Sequence, residues 1–191
     1  VVIDYNQDLP FEMVVIPSGE FIFGENNDTL LIDYDYSIMK YPVTDYEYVV
    51  YILDALDQGL LTVNENGVYG LYPGDTNNPQ GDYKYIDFDV SKISYDNELI
   101  TIDEGEGSTH PVVGVTWFGA WAFATFYGME IPDQYEWEKA ARGIIGYDYP
   151  SGETITEQNA NYNNSRKIVL PVGSYDGSEV FIDSGYEGGF S

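Results

Sequence analysis

Apolar side chains recur at helical spacing in three segments of this 191-residue chain. The first segment follows Thr44, which forms a capping-box pattern with Glu47, and the second follows Thr116, a residue type that caps helix N-termini. Asp133 holds the same position ahead of the third segment. Because a glycine follows each segment and can end a helix, the pattern predicts helices over residues 44–59, 116–128 and 133–143.

Alternation of apolar and polar residues predicts short strands around these helices. Residues 11–17 and 19–24 flank a Pro-Ser-Gly turn, which predicts an opening hairpin. Residues 33–36 alternate Asp and Tyr, as a half-buried strand does. Further strand signals lie within residues 63–107, 168–172 and 180–182.

The order of these elements indicates the fold class. Strands, a helix, more strands, paired helices and loops follow one another without an internal repeat, which predicts an α+β fold with much irregular structure. The length fits a single domain over residues 1–191. Within it, the turn-rich residues 60–107 are interpreted as an insertion or an elaborated loop with its own strands.

The chain is strongly acidic, because 33 Asp and Glu stand against 7 Lys and Arg and give a net charge of −26. Such a surface repels phosphate backbones and anionic lipids, so we expect no nucleic-acid partner and no membrane insertion. Dense carboxylates suit hard cations such as Ca²⁺. They suit equally well a surface that only keeps the protein soluble.

Cysteine is absent, which excludes disulfides, thiolate nucleophiles and zinc–thiolate sites. The sequence begins at Val1 without a basic leader, as a mature chain does after removal of a signal peptide. We therefore expect a secreted or cell-surface (extracellular) protein.

Familiar catalytic motifs are also absent. There is no G-x-S-x-G elbow, no P-loop and no dinucleotide-binding glycine pattern. His110 is the one histidine, and we expect it to be buried and hydrogen-bonded rather than a general base or a metal ligand. Trp117, Trp121 and Trp137 occupy helical positions that predict core packing.

Closely spaced tyrosines form the candidate contact surface among the 19 tyrosines of the chain. A tyrosine joins a flat apolar ring to a polar tip, which suits sugar stacking and protein interfaces. Core packing is the alternative role. The predicted ligand or interface residues are Tyr34, Tyr36, Tyr83, Tyr85, Tyr147 and Tyr149.

Several blocks of the sequence resemble, in order, the formylglycine-generating enzyme or sulfatase-modifying factor family. The central block is HPVVGVTWFGA at residues 110–120, similar to the family stretch HPV-x-x-V-[ST]-W-x-x-A. The other blocks are FEMVVIPSGEF at 11–21, KYPVTDYEY at 40–48, IPDQYEWEKAARG at 131–143, AN at 160–161 and PVGSY at 171–175. The resemblance implies a loop-rich, C-type-lectin-like fold with about three helices and short antiparallel strands.

The departures from the family bear on catalysis and metals. Enzymes of this family oxidise a substrate cysteine with two cysteines and copper, in a part that lies beyond a GNVWEW motif. This chain has neither cysteine nor that motif, so the resemblance identifies no catalytic residue and no copper site. It also implies a calcium site, for which the Asn161 side chain and the Tyr162 carbonyl match two ligands, although no Asp follows within residues 163–169. The alternative is that Asn161 hydrogen-bonds to its own loop.

The favoured hypothesis is a non-catalytic, secreted or cell-surface binding and assembly module. Without the C-terminal part of the family fold, part of the core would lie open, so a second copy or a completing chain is expected to cover it. A carbohydrate or protein ligand would fit the tyrosines. Two alternatives stay open, namely a fragment of a formylglycine-generating oxidase and a scaffold that displays variable ligand-binding residues.

Overall fold

The computed structural model describes residues 10–102, 109–162 and 166–175. These residues fall into two compact units, one formed by Pro42–Ile131 and the other by residues 10–41 and 132–175. The elements in chain order are β1 (Met13–Ile16), β2 (Gly19–Phe23), β3 (Asp28–Ile32), β4 (Tyr36–Met39), α1 (Asp45–Asp57), β5 (Leu61–Asn64), β6 (Gly67–Tyr72), β7 (Gly81–Asp87), β8 (Ile93–Asp96), β9 (Leu99–Ile102), α2 (Trp117–Phe126) and α3 (Gln134–Arg142).

The two helices of the first unit begin where the sequence predicts. At the start of α1, the Thr44 hydroxyl accepts a bond from the Glu47 amide, and the Glu47 carboxylate accepts one from the Thr44 amide. At the start of α2, the Thr116 hydroxyl accepts from the Gly119 amide at 3.1 Å and donates to the Lys84 carbonyl at 2.6 Å. The cap of α2 therefore also fixes this helix to β7.

The sheets of the first unit are antiparallel. The strands β5, β6 and β7 form one sheet in that order, and β8 pairs with β9. The core contains Ile52, Val68, Ile86 and Ile93, each with no exposed surface. These five strands lie within residues 60–107, but whether the segment is an insertion, and whether residues 1–191 act as one domain, stay predictions.

The second unit contains two further two-stranded sheets and α3. The strand β1 pairs with β4, β2 pairs with β3, and Phe21 of β2 is 1% exposed. The helix α3 begins at the predicted capping box of Asp133 and Glu136. Together with the first unit, this confirms an α+β fold of three helices and short antiparallel strands.

Three strand predictions need correction. The opening hairpin is wrong, because the left-handed residues Gly24 (φ 68°) and Asn27 (φ 56°) form a turn that returns the chain from β2 to β3. The strand over residues 33–36 is largely wrong, since β4 begins only at Tyr36 and the Asp35 carboxylate accepts a bond from the Ser18 amide at 2.7 Å. A side chain that bonds to nearby backbone competes with strand pairing.

The third correction concerns residues 168–172, which form no strand. Leu170 is nevertheless buried, with 8% of its surface exposed. The strand signal at residues 180–182 lies outside the described residues. Within the described part of the chain, no helix is long and apolar enough to cross a membrane.

Candidate functional site

Tyr34 and Tyr36 of the second unit hydrogen-bond to α3. The Tyr34 hydroxyl donates to the Glu136 carboxylate at 3.0 Å, and the Tyr36 hydroxyl donates to the Glu136 carbonyl at 2.5 Å. Their ring centroids are 6.3 Å apart in an edge-to-face arrangement. Burial, aided by the Glu136 charge, raises the pKa of Tyr36 to about 12. Only Tyr34, at 50% exposure, leaves much of its surface open to a ligand.

Tyr147 and Tyr149 lie after α3, in a segment that Arg142 holds in place. The Arg142 guanidinium donates to the carbonyls of Tyr147 and Gly146, each at 2.9 Å. Tyr147 and Tyr149 are 36% and 38% exposed. Their rings are therefore partly accessible, and their role in binding stays a prediction.

Tyr83 and Tyr85 of β7 lie in the other unit and differ in exposure. Tyr85 is only 2% exposed, and its hydroxyl donates to the Leu71 carbonyl at 3.0 Å. It does not lie on the surface as predicted, because its ring fills the space above Gly70, where a side-chain carbon would overlap it. Burial raises the pKa of Tyr85 to about 12. Tyr83 is part of an aromatic cluster that the sequence analysis did not recognise as a surface.

This cluster joins the first turns of α2 to the sheet of the same unit. We call it the Trp117 surface and define it by the side chains of Tyr72, Tyr83, Trp117, Phe118 and Trp121. Tyr72 is its centre, in edge-to-face contact with the other four rings at centroid distances of 4.8 to 5.9 Å. The Tyr83 and Phe118 rings stack at 3.9 Å with an interplanar angle of 25°.

Trp117 is the exposed member of the Trp117 surface. It is 51% exposed, whereas Tyr72 beneath it is 4% exposed. The Trp117 ring is held by edge contacts with Tyr72 at 5.8 Å and with Phe118 at 5.3 Å. The prediction that Trp117 and Trp137 pack in the core is wrong, since Trp137 is 62% exposed.

The missed signal lies in the composition of α2. Its buried residues are Gly119, Ala122, Phe123 and Ala124, whereas helical spacing predicted core positions for Trp117 and Trp121. Since WFGAWAFATF has no charged residue, apolar periodicity alone cannot select the buried face. Gly119 was the available clue, because a glycine inside a helix often marks close packing.

A polar loop adjoins the Trp117 surface through Asp75. The Tyr72 hydroxyl donates to Asp75 Oδ2 at 2.5 Å, and the amides of Asn77 and Asn78 donate to Oδ1 at 2.6 and 2.7 Å. These bonds, that of Tyr72 first, lower the pKa of Asp75 to about 2. An ionised carboxylate therefore lies beside the aromatic rings at neutral pH.

The Asn161 side chain, one of the two calcium ligands implied by the resemblance, is already hydrogen-bonded within its own loop, and the calcium site stays a prediction. The Asn161 amide nitrogen donates to the Ile168 carbonyl at 2.8 Å, and its side-chain oxygen accepts from the Arg166 amide at 3.3 Å. The Arg166 guanidinium donates to the Glu157 carbonyl at 3.2 Å, so a cationic side chain already lies against this loop. Tyr162 donates its hydroxyl to the Ile155 carbonyl at 3.4 Å.

The described residues include no group of three or more acidic, histidine or cysteine side chains placed to hold a metal ion. His110 is buried, as predicted, with 8% of its surface exposed, and its carbonyl accepts a bond from the Asp45 amide at 2.9 Å. Among the described residues, the Trp117 surface with the neighbouring Asp75 loop is the candidate binding site.

Comparison with known proteins identifies relatives over most of the chain. It is 32% identical over 173 residues to the serine/threonine-protein kinase Pkn1 of Chlamydia trachomatis, covering 90% of this chain and 26% of that protein. It is 40% identical over 76 residues to the formylglycine-generating enzyme of Thermomonospora curvata, covering 36% of this chain and 25% of the enzyme. The chain thus spans about a quarter of the length of these relatives.

A solved structure and a family model agree with these matches. The crystal structure of CarF superimposes with a TM-score of 0.52 at 18% identity, covering 90% of this chain and 76% of CarF, which supports the fold. The model of the sulfatase-modifying factor enzyme 1-like domain matches residues 4–181. The chain therefore belongs to the sulfatase-modifying factor enzyme 1-like domain family.

Proposed function

We propose that this chain is a non-catalytic binding and assembly module with the sulfatase-modifying factor fold. In this proposal it is secreted or displayed at the cell surface, and it binds a protein or carbohydrate ligand or further copies of itself. The observation that carries the proposal is the Trp117 surface, in which the Tyr72 and Phe118 rings hold a half-exposed tryptophan by edge contacts.

The physical argument concerns the cost of binding. A flexible side chain loses rotamer freedom when it enters an interface, whereas a ring already held by its neighbours loses little. Tryptophan and tyrosine also supply large contact areas, which makes them frequent in the energetic centres of interfaces. The Trp117 surface therefore combines exposure, area and rigidity in the way a binding surface requires.

The absence of cysteine supports the non-catalytic part of the proposal. The oxidation of a substrate cysteine, as implied by the resemblance to the family, needs two enzyme cysteines, and this chain has none. The kinase activity in the name of the Chlamydia relative is not proposed here, because the match covers 26% of that protein. Calcium is left out of the proposal, because Asn161 is already engaged within its own loop.

A second candidate is that the chain is part of a longer formylglycine-generating oxidase. The specific observation in its favour is the match to such an enzyme at 40% identity over 76 residues. In that case the cysteines would lie in another segment of the same gene product. Sequencing the complete reading frame distinguishes the two candidates, because the second requires a downstream segment with two cysteines.

Two measurements on the purified chain test the leading proposal. Light scattering over a concentration series is expected to show reversible self-association or a defined oligomer, and Trp117→Ala is expected to reduce it. Incubation with copper and a cysteine peptide from a sulfatase is expected to give no mass change, with a formylglycine-generating enzyme as positive control. Conversion of the peptide by this chain would refute the non-catalytic assignment.

The location is tested on the cells that produce the protein. Because the proposal places the module outside the cell or on its surface, protease added to intact cells is expected to degrade it, or it is expected in the culture medium. A cytosolic enzyme serves as the control for cell integrity. Protection of the chain until the cells are lysed would contradict this part of the proposal.

A further inference from the structure

The Trp117 surface lies in a strongly acidic part of the chain. The segment 42–131 contains fifteen Asp and Glu residues and only two Lys, namely Lys84 and Lys92. Lys84 pairs with Asp87 at 3.3 Å, so part of this small positive charge is compensated locally. The potential around the Trp117 surface therefore attracts cations and repels anions.

The exposed Trp117 ring favours cations, as the surrounding negative charge does. The face of an indole carries the negative part of the ring quadrupole, and it attracts a guanidinium or ammonium group placed over it. Trp117 is 51% exposed, so a large part of its indole is accessible to such a group. Tyr72, which contacts the Trp117 ring, also bonds to the Asp75 carboxylate, so an anionic group lies on the same small surface.

A geometric feature keeps that carboxylate in place. The Asp75 carboxylate accepts hydrogen bonds from the Tyr72 hydroxyl, from the backbone amides of Asn77 and Asn78, and from the Asn78 side chain at 3.4 Å. The Tyr83 hydroxyl donates to the Pro79 carbonyl at 3.0 Å, which joins the other side of the loop to the rings. The loop and the aromatic cluster thus form one ordered surface that needs little rearrangement on binding.

We propose that the Trp117 surface docks a basic segment of a partner protein, with an arginine or lysine side chain over Trp117 and its charge near Asp75. The proposal rests on the proposed binding function and names the chemistry of the partner. Charge complementarity favours a basic peptide over a neutral sugar, which would gain from the stacked rings but not from the fifteen acidic residues of the segment.

A peptide titration with the purified chain tests the proposal. The probe is a short arginine-containing peptide, and the matched probes are the same peptide with glutamine in place of arginine and a neutral oligosaccharide of similar length. Calorimetry is expected to detect the arginine peptide alone, with affinity that falls as salt is added. Trp117→Ala is expected to weaken binding by about 3- to 30-fold, the range of a cation–π contact.

Two further variants make the test specific. Trp137→Ala is the matched control, because Trp137 is 62% exposed but belongs to the other unit, and it is expected to leave the affinity unchanged. Asp75→Asn keeps an oxygen that can accept from Tyr72 but removes the charge, so it is expected to weaken binding and to reduce its salt dependence. Circular dichroism checks that each variant is folded.

The outcomes separate this inference from the function on which it rests. Binding of the oligosaccharide through Trp117, independent of salt, would overturn the basic partner and keep the binding module. Equal weakening by Trp117→Ala and Trp137→Ala would also overturn the docking site. Failure of the arginine peptide to bind refutes the inference, while a strictly monomeric chain that converts the sulfatase peptide refutes the proposed function itself.

Discussion

Replacement of Arg142 by alanine is expected to destabilise the unit that contains α3 by about 3 kcal/mol. All five N–H groups of its guanidinium have an acceptor: the carbonyls of Gly24, Gly146 and Tyr147, the Asn27 side chain and the Glu138 carboxylate. The Arg142 and Glu138 side chains are only 14% and 21% exposed. Alanine would leave a half-buried carboxylate without its counter-charge, and the Gly146 and Tyr147 carbonyls would lose the donor that Arg142 supplies.

The expected loss in the free energy of unfolding follows from the kind of bond that Arg142→Ala removes. Removing one partner of a buried ion pair costs about 3–5 kcal/mol, and the partial exposure here places the loss at the lower end of that range. For a chain of this length, about 3 kcal/mol corresponds to a fall in Tm of about 6–12 °C. Urea unfolding followed by far-ultraviolet circular dichroism measures the change in the free energy of unfolding.

Two variants control the Arg142 experiment. Lys40→Ala removes the Glu12 ion pair, whose side chains are 30% and 58% exposed, and is expected to cost less than about 1 kcal/mol. Arg142→Lys keeps the charge but not the planar fork, so it is expected to recover only about half of the loss. If Arg142→Ala cost no more than Lys40→Ala, or if lysine restored full stability, the argument from the five-donor network would be wrong.

Three further predictions concern buried groups and the loop of Asn161. The Tyr48 hydroxyl is buried without a hydrogen-bond partner among the described residues, so Tyr48→Phe is expected to be neutral or to stabilise by up to about 1 kcal/mol in urea unfolding. By contrast, Tyr85→Phe loses the bond to the Leu71 carbonyl and is expected to destabilise by about 1 kcal/mol. Because the pKa of Tyr85 is raised to about 12, its contribution to stability is complete below pH 10, the ordinary tyrosine value, and is lost as the pH rises through 12. Tyrosinate absorbance is therefore expected to rise together with unfolding. Titration of all tyrosines near pH 10 in the folded protein would contradict the raised pKa. Calcium is expected to leave Tm unchanged in thermal melting, and a saturable rise that Asn161→Ala abolishes would show that the ion displaces the bonds within the loop.

Helix positions were predictable because their signals are local. Thr44 and Asp133 each begin a helix with a capping box, and the structure contains both sets of reciprocal bonds. Such a signal needs only residues within one turn of the helix. Because the signal is local, the predicted helix starts were correct even though the packing around each helix could not be inferred.

Strand pairing was not predictable in the same way. The strands β1 and β2 follow each other closely in sequence, but each pairs with a different strand, β4 and β3 respectively. The pairing depends on which turn can close, and the left-handed residues Gly24 and Asn27 favour the turn after β2. For residues 33–36, the Asp35 carboxylate accepts a bond from the Ser18 backbone amide, and the alternation of Asp and Tyr contains no sign of this competing contact.

The candidate site was missed because burial was inferred from apolar character. Every residue of α2 is uncharged, so the stripe containing Trp117 and the stripe containing Gly119 satisfy helical spacing about equally well. Close packing selects the Gly119 stripe, since a side-chain carbon there would overlap the Tyr85 carbonyl and approach the Tyr48 hydroxyl. The glycine allows the helix to approach β7, and this approach leaves Trp117 on the outer side.

The packing that positions α2 thus also creates the exposed ring on which the proposed function depends. Gly119→Ala is expected to separate α2 from β7 and to destabilise the unit by about 1–3 kcal/mol, although alanine is the better helix former. Gly81→Ala is the matched control, because the nearest atom to an added carbon there is 3.7 Å away. If Gly119→Ala retained both stability and peptide binding, the close approach of α2 would not be what positions Trp117.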